Sequence, residues 1–279
     1  FCSNHDKIAE MDQVEAVIIS VFNKYTAKIA VDMLKHGKNV LCEKPLGINQ
    51  KESQLILDSE KKSGKKVKTG FNHRFHRAVR KAKEICEQNS IGVISHIRSR
   101  YGHGGRPGME TEWRCDKDIS GGGELLDQGV HIIDLCRWFI GDQVKQVYGK
   151  TFTSFWDIAV DDNAFFNLEF SNGAYAQCHV SWTNWKNVFS FEIFGSNGYI
   201  HIQGLGGSYG LETLEIGYRN KNGGKPDIKE YSYPDEDDSW LMEWQNFKKG
   251  IETGSYIIGD ALDGHYANVI IDAIYRSNE

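Results

Sequence analysis

Asp127 and His131 stand four residues apart in a run that opens on glycines, Ser120-Gly121-Gly122-Gly123-Glu124-Leu125-Leu126-Asp127-Gln128-Gly129-Val130-His131-Ile132-Ile133-Asp134. The apolar pattern continues through Leu135, Trp138 and Phe139 to Gly141, which predicts one helix with Ser120 as its cap and Gly141 as its stop. On such a helix the acid and the imidazole share a face, about 6 Å apart at Cβ, with Asp134 one turn further along the same stripe. An imidazole is the side chain best suited to take a proton from a hydroxyl near neutral pH, and a carboxylate beside it can orient the ring or accept from an adjacent hydroxyl. The plainer alternative is a locally bonded aspartate and a satisfied core histidine. A third group bears on the choice: Lys44 follows the strand Asn39-Val40-Leu41-Cys42, so it sits at the carboxyl end of a parallel strand, where open α/β sheets bind ligands. There an ammonium would stabilise a developing alkoxide and lower the pKa of a nearby His131. Alternatively Lys44 is a solvated strand end and Glu43 its local ion-pair partner.

The elements that must hold these groups can be read along the chain. Residues 14–20 form a near-continuous apolar, β-branched run of the buried parallel-strand kind, followed by a helical pattern through Ala27, Ala30, Val31 and Leu34 that ends at Gly37. The strand at 39–42, a helix over 51–63 and a strand over 66–71 complete a strand, helix, strand, helix, strand rhythm, which implies a doubly wound parallel sheet. From residue 73 the text changes. A basic helix over 76–88 and a strand over 91–101 lead through a glycine-rich loop and Glu112-Trp113-Arg114 to the central helix. Strands then follow one another at 144–152, 162–170, 174–182, 188–194 and 199–203, with turns at Ser171-Asn172-Gly173 and Ser196-Asn197-Gly198, and helices over 240–251 and 260–276 close the chain. The fold class expected is therefore α/β plus α+β: residues 1–72 as the later part of a dinucleotide-binding Rossmann domain, and 73–279 as a domain with a large, mainly antiparallel open sheet and covering helices, the last of which is expected to return to the first domain. Gly204-Leu205-Gly206-Gly207-Ser208-Tyr209-Gly210 superficially resembles a dinucleotide fingerprint but opens no helix, so it reads as a loop away from any ligand. Asp134 and Arg137, three apart, read as a pair on the helix surface.

Composition limits the functions open to such a fold. A formal charge of −5 over 279 residues, without long charged blocks, excludes a nucleic-acid or membrane-surface partner. Cys2, Cys42, Cys86, Cys115, Cys136 and Cys178 form no CxxC pair and include thiols inside apolar runs, so reduced thiols, no metal site and a cytoplasmic address are expected. No signal peptide opens the chain, and no apolar run approaches the roughly 20 residues of a spanning helix.

Five ordered segments together resemble the successive signatures of the Gfo/Idh/MocA family of NAD(P)-dependent oxidoreductases. They are Ala16-Val17-Ile18-Ile19-Ser20-Val21-Phe22-Asn23-Lys24-Tyr25-Thr26, Val40-Leu41-Cys42-Glu43-Lys44-Pro45-Leu46, Gly70-Phe71-Asn72-His73-Arg74-Phe75, Glu112-Trp113-Arg114 and the glycine-led run through Asp134. The resemblance covers essentially the whole chain. It implies hydride transfer between NAD or NADP and a secondary alcohol of a sugar, cyclitol or nucleotide sugar. It implies Lys44, Asp127 and His131 as the catalytic group, with cofactor contacts at Ser20, Asn23, Glu43, Lys44, Asn72, Trp113 and Arg114. Substrate contacts are implied at Arg74, Tyr101, Asp127 and His131, with His73 beside Arg74. Trp113-Arg114 also reads as a packed indole with a surface arginine, and His73-Arg74 as a basic helix start.

Two departures stand out. The family's first strand, GxGxxG loop and ribose-binding acid are expected upstream of Val14, so the chain resembles a fragment that lacks them. Its Thr-Pro-Asn-x-x-His segment reads here Val21-Phe22-Asn23-Lys24-Tyr25-Thr26, keeping only the asparagine. Three other functions remain open: a glycosidase that oxidises transiently with NAD and then eliminates, a binding member without turnover, and a metal hydrolase, the last disfavoured because Lys44 would repel the ion. Aromatic residues of both parities on the strands, among them Phe165 with Phe166 and Phe194 with Phe191, predict a homo-oligomer joined through the outer face of the open sheet.

Overall fold

The computed structural model describes residues 4–278, so Cys2 lies outside it. After a short helix α1 (His5–Ala9), the chain forms β1 (Ala16–Ile19), α2 (Asn23–Lys35), β2 (Asn39–Cys42), α3 (Gln50–Ser63) and β3 (Val67–Thr69). The three strands pair in parallel in the order β1-β2-β3. Central β2 is buried along its whole length, and its one polar member ties the sheet together. Asn39 donates to the Glu15 carbonyl at 3.1 Å and accepts from the Lys66 amide at 3.0 Å, joining the entrances of all three strands. Helix α3 starts where the Asn49 side chain accepts from Glu52 N–H and Glu52 reaches back to Ile48 N–H, a reciprocal cap, and it stops at left-handed Gly64.

Within the described residues β1 pairs only with β2, and Ile18 is 59% exposed.

The second sheet has eight strands. Helix α4 (Arg77–Glu87) and β4 (Ile94–Gly102) precede a short α5 (Lys117–Ser120) and the apolar α6 (Val130–Ile140). Strands β5 (Val144–Phe152), β6 (Asn163–Phe170), β7 (Tyr175–Ser181), β8 (Val188–Gly195), β9 (Gly198–Gln203), β10 (Glu212–Tyr218) and β11 (Asp227–Tyr233) follow, then α7 (Ser239–Thr253) and α8 (Ala261–Ser277). The strand order is β11-β10-β9-β8-β4-β7-β6-β5, antiparallel except where β4 runs beside β7. Ala164, Phe166, Leu168 and Phe170 point inward, as their alternation requires, onto a core that includes Val130, Ile133 and Ile271 of the covering helices. The other face leaves Tyr148, Phe152, Phe165 and Tyr175 exposed. Helix α8 lies between the two sheets, against α3, β3 and β5, and Asn268 on it donates to the carbonyls of Leu46 and Gly47 in the loop that follows β2.

The central run departs from one continuous helix. Ser120 does not cap it but ends α5, its hydroxyl donating to the Asp116 and Gly122 carbonyls. Gly121 turns left-handed, and the chain re-enters a helix as a π-turn over Leu125–Gly129 that runs into α6. The cap comes from far along the chain, where the Asp161 carboxylate accepts from Gly123 N–H at 3.1 Å and Leu125 N–H at 2.8 Å. The glycines serve close approach: a Cβ on Gly123 would lie 2.0 Å from the Asp161 carbonyl oxygen, and one on Gly121 would lie 2.5 Å from Ile48 Cβ, across the junction with the parallel sheet. Gly141, left-handed, ends α6 as expected. Among the described residues no helix is long and apolar enough to cross a membrane.

Candidate active site

At the carboxyl end of β2 the chain turns Lys44 toward the π-turn. Lys44 Nζ donates to Asp127 Oδ1 at 2.7 Å and to the Asp127 carbonyl at 2.6 Å, a clasp between the parallel sheet and the helical run. Arg114 Nε approaches the other carboxylate oxygen at 3.6 Å. Burial opposes charge on Asp127, yet Lys44 and Arg114 outweigh it and hold the acid below the ordinary carboxylate range. These groups line a cavity of about 460 Å³ together with Glu43, Asn72, His73, Tyr101 and His131, a size within the range of roughly 300–1,000 Å³ typical of small-molecule sites.

His131 is buried and stacked on His73, with ring centroids 3.7 Å apart and planes 13° apart. Burial, the His73 ring and Lys44, in that order, push its pKa well below the usual histidine value, so it is a neutral acceptor at neutral pH. Nδ1 of His131 has no partner among the described residues. Asp127 does not orient this ring: its bonds go to Lys44 instead, and the two side chains meet only by sharing the cavity. His73 is fixed by Asn72 Oδ1 at its Nδ1 and by the Tyr101 hydroxyl at its Nε2, both at 3.1 Å. Three buried polar atoms on cavity-lining residues lack a partner among the described residues: His131 Nδ1, Gln128 Oε1 and Trp182 Nε1. Buried polar groups are normally satisfied, so these three stand apart from the rest of the lining.

The structure divides the remaining candidates. Glu43, Asn72, Arg114 and Tyr101 line the cavity. Burial raises the Glu43 carboxyl against the pull of Lys44. Ser20 and Trp113 line a second, adjoining hollow with Val21, Phe22 and Tyr25, where the Phe22 and Trp113 rings stand 5.2 Å apart and Arg114 lies over the Trp113 indole. An aromatic wall, a carboxylate and two cations thus lie close together, Glu43 and Lys44 just beyond the end of β2 and Trp113 and Arg114 in the turn that precedes α5. Asn23 is different, because its amide donates to the Ser120 carbonyl at 2.8 Å, a structural bond between α2 and the glycine run.

Three expectations are corrected. Arg74 does not reach the cavity: it is buried, with a fork of bonds to Asp134 at 2.6 and 2.7 Å and Asp263 at 3.0 Å, and it lies over the Trp138 ring. Asp134 is accordingly no member of a helix-surface pair with Arg137, which binds Asp263 instead. The loop 204–210, expected to stand clear of ligand, supplies Leu205, Gly206, Ser208 and Tyr209 to the cavity wall. Sequence reasoning also missed Gln128, whose place beside Asp127 was a usable signal. It missed Tyr209, which accepts from Gln128 at 2.7 Å, and Asp237 and Trp240, which reach the site from the loop before α7 and from its first turn with no local signature.

Comparison with known proteins agrees with this geometry. Residues 1–71 match the model described as an oxidoreductase family with an NAD-binding Rossmann fold, and residues 79–201 match the GFO/IDH/MocA C-terminal domain. The levoglucosan dehydrogenase of Pseudarthrobacter phenanthrenivorans is 24% identical over 99% of this chain and 80% of its own length. The myo-inositol 2-dehydrogenase of Thermotoga maritima is 26% identical over 98% of the chain and 80% of its own. A solved levoglucosan dehydrogenase in complex with NADH and levoglucosan superposes with a TM-score of 0.90 at 25% identity, covering 99% of this chain and 81% of that one.

Proposed function

The chain belongs to the Gfo/Idh/MocA family of NAD-binding oxidoreductases, and on that premise we propose that it oxidises a ring secondary alcohol of a sugar or cyclitol, or reduces the corresponding ketone. The observation that carries this reading is the Lys44 to Asp127 clasp facing a neutral, otherwise unbonded His131 in one cavity. NAD or NADP, when bound, supplies the acceptor or donor of the hydride. His131 takes the hydroxyl proton onto an imidazole nitrogen as the alcohol is oxidised and returns it in reduction. Lys44 donates to the same oxygen and stabilises its developing negative charge, while Asp127 holds the ammonium in place and accepts from a neighbouring hydroxyl. Glu43, Asn72, Arg114, Ser20 and Trp113 hold the nicotinamide end of the cofactor. Sugar and cyclitol substrates are supported by the names of the relatives and by the polar side chains that line the cavity, among them Lys44, Asn72, Asp127 and Gln128.

The test is to mix the intact protein with NAD or NADP and a series of hexoses, pentoses, glycosides and inositols and to follow the absorbance of the reduced nicotinamide. Reduction dependent on one of these alcohols is expected. Its absence throughout the series, with cofactor demonstrably bound, would refute the reading.

Assembly and setting are part of the proposal. Tyr148, Phe152, Phe165 and Tyr175 on the outer sheet face form a surface suited to a two-fold contact with a second copy. Sedimentation at micromolar concentration should give at least a dimer, and a clean monomer would count against it. The free thiols Cys42, Cys86, Cys115, Cys136 and Cys178 suit the reducing cytoplasm.

A further inference from the structure

The cavity does not end at His131. It continues along His73 and His76, whose rings meet edge to face at 5.6 Å, to Asp237 and Trp240 at the start of α7. This arm lies beyond β3, since Asn72, which follows that strand, donates to Ser239 Oγ beside Trp240. The aromatic hollow of Phe22 and Trp113 adjoins β1 at the opposite edge of the parallel sheet. The two ends of the site are therefore separate, and the arm is not the place the cofactor needs.

Its chemistry is specific. Trp240 is 59% exposed, and its indole has no ring or hydrogen-bond partner among the described residues, although it borders a polar cavity. Asp237 accepts from Ser239 N–H at 2.8 Å through Oδ1, while Oδ2 is turned toward Gly206. A Cβ on Gly206 would stand 2.8 Å from that oxygen and 3.0 Å from His76 Cε1, so glycine is what lets the loop close on this arm without filling it. A flat apolar plate, a carboxylate oxygen and the Ser208 hydroxyl match a pyranose ring, whose C–H face is apolar and whose edge carries hydroxyls. Charge disfavours a phosphate at this end: Asp237, 3.7 Å from His76 Nδ1, lines it as an acid, Glu212, outside the lining, accepts from the same nitrogen at 3.2 Å, and the neighbouring Arg77 is taken up by Asp235 and Asp238.

We infer that this arm is a second sugar subsite, and that the substrate class is a neutral disaccharide or glycoside whose reacting ring lies at Lys44, Asp127 and His131 and whose other ring stacks on Trp240. The inference rests on the dehydrogenase reading for the identity of the first ring, but not for its test. Binding is measured by calorimetry on the intact protein with NADH present, using glucose, maltose, cellobiose and UDP-glucose as probes, and NAD reduction is measured in parallel. At least one neutral two-ring sugar should bind roughly tenfold or more tighter than glucose, equivalent to about 1.4 kcal/mol, and UDP-glucose should gain nothing. Trp240→Ala should erase that ratio and Asp237→Asn should reduce it. Two-ring sugars that bind no better than glucose, or a preference untouched by Trp240→Ala, would overturn the inference. A preference that persists without any NAD reduction would support the subsite and overturn the dehydrogenase reading instead.

Discussion

The helical run from Asp127 to Arg137 serves two neighbouring regions that use the same kinds of side chain in opposite ways. On one side, Lys44, Asp127 and His131 meet in a cavity, partly open to solvent, with polar atoms left unpartnered. On the other, Arg74 forks onto both Asp134 oxygens at 2.6 and 2.7 Å and pairs with Asp263 at 3.0 Å beside the Trp138 ring, so its charge is matched within the protein. A buried ion pair of the second kind holds parts together and has little spare bonding capacity, while the first kind is poised to bond something else. The difference between the two pairs lies in how far they are withdrawn from solvent, not in residue type: the side chains of Arg74 and Asp134 are each 1% exposed, those of Lys44 and Asp127 18% and 23%.

That contrast can be tested from its strongest consequence downward. Arg74→Leu leaves Asp134 buried without its partner, and should cost about 3–5 kcal/mol of stability in urea unfolding. A loss within the range of ordinary surface substitutions would mean that the cluster is not structural. Lys44→Ala should lower turnover roughly 100-fold, as removal of a donor to a developing oxyanion does. It should also move the acidic limb of the pH profile upward, because Lys44 helps to depress the His131 pKa and its removal relaxes that depression. A limb that stays in place would separate Lys44 from His131 electrostatically.

The smallest effect concerns Glu124, fully buried near Asp127 and Asp161, with neither carboxylate oxygen in the hydrogen bonds found among the described residues. Burial, then Asp127 and Asp161, raises its pKa well above the ordinary value. Folded protein therefore holds a proton that the unfolded chain releases above about pH 4.3, and wild-type stability falls as pH rises through that window. Glu124→Gln removes the dependence, and its melting point should exceed the parent's by about 2–4 °C at pH 7, with the difference shrinking toward pH 4. An equal difference at both pH values would show that the carboxyl does not titrate between the states.

Much of this arrangement was legible in the sequence because it depends on local pattern. Strand-end Lys44 and the glycine-led run announced a shared site, and alternation at Ala164, Phe166, Leu168 and Phe170 announced the inward face of the large sheet. What could not be read depends on partners distant in the chain. Nothing near Ser120 says that Asp161 will cap the helix in its stead, and nothing near Arg74 says that Asp134 and Asp263 will claim it. Strand β11 escaped notice because all its residues but Tyr233 are exposed, so burial imposes no alternation on its sequence. The π-turn at Leu125–Gly129 shifts the phase that a regular helix would impose, so the spacing of Asp127 and His131 was informative about their neighbourhood but not about a direct bond between them.

The most direct test of the division between the two regions is His131→Asn, assayed for turnover, for NADH affinity and for unfolding in one preparation. The account predicts turnover lowered by roughly 100-fold or more, with NADH affinity and the unfolding midpoint close to those of the parent protein. Turnover that survives the substitution, or NADH affinity lost in the same proportion as turnover, would contradict it.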